Sequence, residues 1–174
     1  MKPPRVAARA DDNQLGIQRS RRALARGSQS FALAGKLLPR ACRDDAAVIY
    51  AYCRRADDLV DEAPSNDRAT VLAVVRLRAE LDDIVAGRPQ NDPGLRAFQE
   101  VMHRRAIPRI HVDEFLNGLA MDAANTPVVY QSWADLLLYC YRVAGTVGLM
   151  MCKVMGADDP RAARPAAALA WRCS

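Results

Sequence analysis

Apolar and polar positions follow the period of a helix along almost the whole chain. Between residues 39 and 62, Ile49, Cys53, Ala56 and Val60 recur every three or four positions. That spacing winds them onto one stripe of an α-helix and marks the stripe as the inward face. Stretches rich in Pro, Gly, Asn and Asp punctuate the rest: "GKLLP", "APSND", "GRPQNDPG", "AIP", "NTP" and "GADDP". Between these breaks the pattern predicts helices over 12–33, 39–62, 67–86, 93–104, 108–123 and 132–155, with another starting near Asp159. Pro39, Pro93 and Pro108 fall near a first turn, where a missing N–H costs nothing. Ser132 with Asp135 three positions on resembles a capping box, and Gly156 suits the far end of the same helix. No strand alternation and no internal repeat compete with this reading. The expected fold is all-α.

Composition agrees. Of 174 residues, 51% are apolar and 26% charged, a globular balance with length for a substantial core. Ala and Leu are abundant and β-branched runs few, which favours helices over sheets.

Charge and cysteines then narrow the function. Much of the +5 net charge lies before residue 31, in "QRSRRALARGSQ". Residues 1–15 read as a flexible basic N-terminus ahead of a domain spanning 16–174. Such a cluster suits an anionic membrane surface or a phosphorylated substrate. No aromatic platform or recognition motif accompanies it, so nucleic acid is not the expected partner. Cys42, Cys53, Cys140, Cys152 and Cys173 show no Cys-x-x-Cys spacing. Their odd number predicts reduced thiols and a cytoplasmic location, and the basic cluster adds the expectation of peripheral membrane contact. His103 and His111 lack zinc-ligand spacing and read as structural or surface histidines. Met1 to Gln14 has no apolar central region of the kind a signal peptide needs. The most membrane-like stretch, Val143 to Cys152, is short of the ~20 apolar residues that cross a bilayer and reads as a buried helix.

The acidic cluster of "YCRRADDLVDE" changes the picture most. Tyr50, Arg54, Asp57 and Asp61 form a second stripe, one residue round from the apolar one. The polar groups therefore adjoin the core face instead of opposing it. Carboxylates at i and i+4 repel by about 0.2–0.5 kcal/mol. A helix C-terminus disfavours negative charge by a further ~0.3–1 kcal/mol. Something cationic must offset this. Arg54 and Arg55 could do so and leave an ordinary solvated helix end. Alternatively Asp57 and Asp61 hold Mg²⁺, with Mn²⁺ as a substitute. Magnesium takes one or two carboxylates plus substrate phosphates, and Arg54 could bind the same anion.

Three blocks make a resemblance specific. "GSQSFALAGKLLP", "VIYAYCRRADDLVDE" and "YCYRVAGTVGLMMCKVMGA" resemble, in order and spacing, blocks of the squalene/phytoene synthase family. The third is most similar to bacterial phytoene synthases. Between them, "IPRIHVDEFLNGLAMDA" resembles the linking segment, including its Gly-x-x-Met-Asp at Gly118, Met121 and Asp122. The likeness runs from about Gly16 to Ala168.

The resemblance implies an all-α isoprenoid-synthase fold around a central cavity. It implies head-to-head joining of two allylic prenyl diphosphates, which for phytoene synthases are two geranylgeranyl diphosphates. Metal ions draw off diphosphate and leave an allylic cation. Carried over by position, Asp57 and Asp61 are the metal-binding aspartates, with Arg54 and Tyr50 beside them. Ser28, Ser30 and Phe31 match the block at the diphosphate end; Tyr139, Val143, Val147 and Gly148 match the helix lining the prenyl cavity. Plainer roles stand beside these. Ser28 and Ser30 could cap a helix, Gly145 and Gly148 could serve close helix crossing, and Tyr139 and Tyr141 could be core aromatics.

The family pattern also requires a second aspartate-rich helix, and nothing after Tyr139 supplies it. The expectation is therefore the N-terminal part only of such a domain, inactive as it stands. The ending "LAWRCS" departs from the family's usual continuation in a way that a one-base deletion between Leu169 and Trp171 accounts for. The alternatives are a squalene or dehydrosqualene synthase, or a non-catalytic truncated pseudoenzyme on the same scaffold.

Overall fold

In a computed structural model, which describes residues 5–27, 33, 35, 38–63, 67–124 and 130–157, every regular element among the described residues is helical. They are α1 (Arg5–Gly27), α2 (Arg40–Asp61), α3 (Asp67–Val85), α4 (Pro93–Arg104) and α5 (Arg109–Ala124). Then come α6 (Trp133–Cys140), a single wide π turn (Tyr141–Gly145) and α7 (Thr146–Met155).

α2 is the centre of the packing. Its predicted stripe of Ile49, Cys53, Ala56 and Val60 is buried throughout. α1 and α4 pack together on one side of α2, while α7 meets both α2 and α5. α3 lies against α5 and closes the core with Leu77, Leu81 and Ile84, all fully buried. α4 starts where Asp92 Oδ1 accepts from the backbone N–H groups of Gly94 (2.8 Å) and Leu95 (3.0 Å), just before Pro93 opens the first turn. Its Phe98 ring stacks on Tyr52 of α2 with centroids 3.7 Å apart. Buried Asp45, near the start of α2, accepts Arg104 and Arg105 from the end of α4 (Arg105 Nε at 2.7 Å from Oδ2). On the opposite flank Arg55 forks onto both Glu80 oxygens at 2.8 Å and ties α2 to α3.

The boundaries differ from expectation in instructive places. α1 begins at Arg5, not near residue 12, so helix runs through most of the stretch read as a flexible basic N-terminus. No helix breaker stands between Arg5 and Asp12. The described part of α1 runs to Gly27, and residues 28–32 of the stretch expected to be helical lie outside the described residues. Pro39 sits just outside α2 as its N-cap, and Pro108 precedes α5. The helix expected near Asp159 lies outside the described residues.

The third block is not a uniform buried helix. Ser132 caps α6 as predicted, accepting from Asp135 N–H at 3.2 Å, and Gly156 ends α7 in the left-handed region at φ 71°. Only Gly145, Thr146, Met150 and Val154 are buried between them, and Trp133 is 79% exposed. Because the cap lets α6 run straight into the later turns, Trp133–Met155 is helical over 23 residues. By length and composition alone it is long and apolar enough to cross a bilayer, where Val143 to Cys152 taken alone looked too short. Cys42, Cys53, Cys140 and Cys152 are free thiols; Cys173 lies outside the described residues.

Candidate metal and diphosphate site

The last three turns of α2 present the polar stripe where the sequence puts it. Its burial on one side fixes the helix rotation, so Tyr50 and Asp57 are half-buried while Arg54 and Asp61 are exposed. Arg54 pairs more closely with Asp58 than with Asp57. Its Nη2 lies 2.6 Å from Asp58 Oδ1, against 3.5 Å from Nη1 to Asp57 Oδ2. Asp57 is therefore the more loosely paired of the two. Burial pushes its carboxyl above the usual range, neighbouring Asp61 pushes the same way, and Arg54 only partly opposes them.

Tyr50 points to the other end of the site. A Cβ on Gly27, at the end of α1, would fall 2.2 Å from the Tyr50 hydroxyl oxygen. Only a glycine lets α1 end against that ring. Tyr50 thus adjoins the root of the segment carrying Ser28, Ser30 and Phe31, which themselves lie outside the described residues.

A third carboxylate joins from α5. Asp122 accepts a hydrogen bond from the Tyr139 hydroxyl (Oη to Oδ2, 3.2 Å). Burial raises the Asp122 carboxyl; the Tyr139 bond opposes this, and the charges of Asp57 and Asp61 reinforce it. The Tyr139 phenol is pushed upward in turn, by burial first and then by Asp122, and stays protonated at neutral pH. Tyr130 leans on the Tyr139 ring with centroids 5.3 Å apart. The sequence had Asp122 inside the Gly-x-x-Met-Asp motif but gave it no role. The available signal was a lone acid in the apolar run "NGLAMDAA".

The remaining predicted residues flank this centre. Val143 fits against α5 at Gly118, where an added Cβ would come 2.7 Å from Val143 Cγ1 and 3.0 Å from Arg142 Cβ. Val147 packs on the core from α7, and Gly148 beside it is half-buried.

Among the described residues no three His, Cys, Asp or Glu side chains converge closely enough to hold a metal by themselves. The donor set nevertheless fits Mg²⁺. It is all oxygen, it offers two carboxylates one turn apart, and like charge raises Asp57 in the absence of a cation.

A family model described as squalene/phytoene synthase matches residues 24–171. The chain belongs to the squalene/phytoene synthase family. Among relatives, it is 43% identical over 136 residues to a phytoene synthase of Rhodobacter capsulatus, covering 78% of this chain and 39% of that one. It is 42% identical over 147 residues to one of Pseudescherichia vulneris, covering 79% and 46%. It is 37% identical over 147 residues to a 15-cis-phytoene synthase of a Paracoccus species, covering 81% and 48%. The chain thus spans 39–48% of the length of these family members. Of solved structures, a ligand-bound dehydrosqualene synthase superposes with TM-score 0.77 at 28% identity, over 92% of this chain and 56% of that one. A squalene synthase from Alicyclobacillus acidocaldarius gives 0.79 at 26%, over 90% and 57%. The all-α isoprenoid-synthase fold is therefore the fold of this chain.

Proposed function

We propose that this chain supplies one wall of a prenyltransferase site that joins two geranylgeranyl diphosphates head to head to phytoene. The observation that carries the reading is the shared acidic centre: Asp122, hydrogen-bonded by Tyr139, also feels the charges of Asp57 and Asp61 on α2. The relatives at about 40% identity being phytoene synthases supports the product. Asp57 and Asp61 would hold Mg²⁺, or Mn²⁺ in its place. The metal, when bound, supplies the positive charge that lets diphosphate depart from an allylic carbon. Arg54, already at the mouth of the cluster, is placed to take a diphosphate oxygen once Asp58 yields its guanidinium. By the family resemblance, Ser28, Ser30 and Phe31 would belong to the diphosphate end. Val143, Val147 and Gly148 offer apolar wall to the prenyl chain. Tyr139 holds its proton on Oη toward Asp122 Oδ2, so the pair can receive a proton lost from a carbocation without placing a free anion in the site. Arg19, Arg22 and Arg26 are exposed on α1 and suit an anionic membrane surface on the cytoplasmic side, which a hydrocarbon product would enter.

The second reading is a squalene or dehydrosqualene synthase, favoured by the two superposing structures. The test joins this chain, through about residue 168, to the remainder of the Rhodobacter capsulatus phytoene synthase. Purified protein is incubated with Mg²⁺ and either geranylgeranyl or farnesyl diphosphate, and extracted hydrocarbons are separated. A C40 product that disappears in the Asp57→Asn variant supports the proposal. A C30 product alone supports the second reading. A folded chimera that makes neither makes this half a non-catalytic member of the family.

A further inference from the structure

The one irregular turn in the third block sits next to the residue the proposed site depends on. π turns are rare in helices, and each inserts one residue into the winding. Here the Thr146 amide reaches back five residues to the Tyr141 carbonyl, and the Thr146 hydroxyl donates to the Arg142 carbonyl at 2.6 Å. Downstream, Thr146, Met150 and Val154 are anchored in the core. Upstream, Tyr139 reaches Asp122. If the turn tightened to ordinary α winding, everything upstream would rotate by about 100° and slide about 1.5 Å relative to that anchor. Tyr139 would then leave Asp122.

A polar relay runs from the wide turn to α5 and α3. Arg142, within it, places Nε 2.9 Å from Glu114 Oε2, and both side chains are only 23% exposed. The other Glu114 oxygen accepts from Asn117 Nδ2 at 3.0 Å, and Asn117 Oδ1 accepts from Arg78 Nη2 of α3 at 2.6 Å. Arg142 also turns Nη1 toward Met121 Sδ at 3.3 Å, one residue before Asp122. Gly118 lets the turn approach α5 closely enough for the relay to close.

We propose that Arg142 is a positioning residue: through Glu114, Asn117 and Arg78 it locks the wide turn at Tyr141–Gly145, and the register shift there aims Tyr139 at Asp122. This deepens the synthase reading and rests on it for its catalytic meaning, though not for its geometry. The test therefore needs no substrate. The 174-residue chain carrying ¹³C-labelled aspartate carboxylates is titrated by NMR, with Asp122→Asn assigning the signal. In Tyr139→Phe the Asp122 midpoint should rise, because a bond that favours the carboxylate is gone. Arg142→Met, which keeps the stem but loses the fork, and Glu114→Gln should reproduce that rise while circular dichroism shows an intact helical fold. A wild-type midpoint in folded Arg142→Met and Glu114→Gln overturns the proposal, as does an unmoved midpoint in Tyr139→Phe. If Arg142→Met does not fold, Glu114→Gln decides; if neither folds, the relay serves the fold as a whole and the proposal fails. An inactive chimera with a shifted Asp122 would instead sink the synthase reading and leave the positioning role standing.

Discussion

The Tyr139 hydroxyl of α6 and the Asp122 carboxylate of α5 meet at 3.2 Å, bringing the third sequence block onto the linking segment. The charges of Asp57 and Asp61 on α2 are felt at the same carboxylate. Three elements distant in sequence thereby share one acidic centre.

That centre predicts a pH-dependent response to metal. Asp57 and Asp122 have carboxyls raised in the folded chain, so folding favours their protonated forms. Their contribution is full below the ordinary carboxylate range and is lost as pH rises through the elevated values. A bound cation reverses the loss. Millimolar Mg²⁺ should therefore raise the melting temperature at pH 7.5 by a few degrees and much less at pH 4.5. Asp57→Asn and Asp61→Asn should each abolish most of that rise, as measured by thermal circular dichroism. Equal Mg²⁺ effects in wild type and both variants would rule out the assigned ligands.

Gly118 should tolerate nothing larger. An alanine methyl would collide with Val143 and Arg142, so α5 and the wide turn must separate. Gly118→Ala is expected to destabilise the chain by about 1–3 kcal/mol. In the chimera it should lower kcat more than it changes KM, because Tyr139 and Asp122 drift apart. Stability within 0.5 kcal/mol of wild type, roughly the size of an ordinary surface change, would contradict the packing described.

If the proposed site needs donors beyond Asp57 and Asp61, the chain by itself should turn over prenyl diphosphates at least ~100-fold more slowly than the chimera, since a diphosphate-bound Mg²⁺ would be met from one helix alone. It should also self-associate. Trp133, Leu138 and Met155 are exposed along one helical stretch, and apolar surface of that kind drives association. Light scattering and product assays check both. A monomer with chimera-like activity would refute this.

Ala106 occupies the left-handed region at φ 47°, in the turn between α4 and α5. That conformation costs a non-glycine residue about 1–2 kcal/mol, part of which glycine returns through its freer unfolded chain. Ala106→Gly should stabilise the fold by about 0.5–1 kcal/mol in urea denaturation. A loss of stability would mean that the strain is not there.

The sequence by itself determined the helical class, most breaks, the caps at Ser132 and Gly156, and the stripe from Ile49 to Val60. All follow from local periodicity and backbone chemistry, which a linear reading contains. It also placed Tyr50, Arg54, Asp57 and Asp61 on one face, because i, i+4 spacing within one helix needs no knowledge of neighbours. Tertiary structure alone decided what that face meets. Asp122 enters the site from 61 residues beyond Asp61, and only the packing of α2, α5 and α7 brings the carboxylates within range. The preference of Arg54 for Asp58 over Asp57 is a rotamer outcome between two neighbouring acids. The wide turn at Tyr141–Gly145 was illegible for the same reason. Local propensity favours unbroken α winding there, and it is the Arg142–Glu114 bond and the close approach at Gly118, both long-range, that hold the extra residue in place.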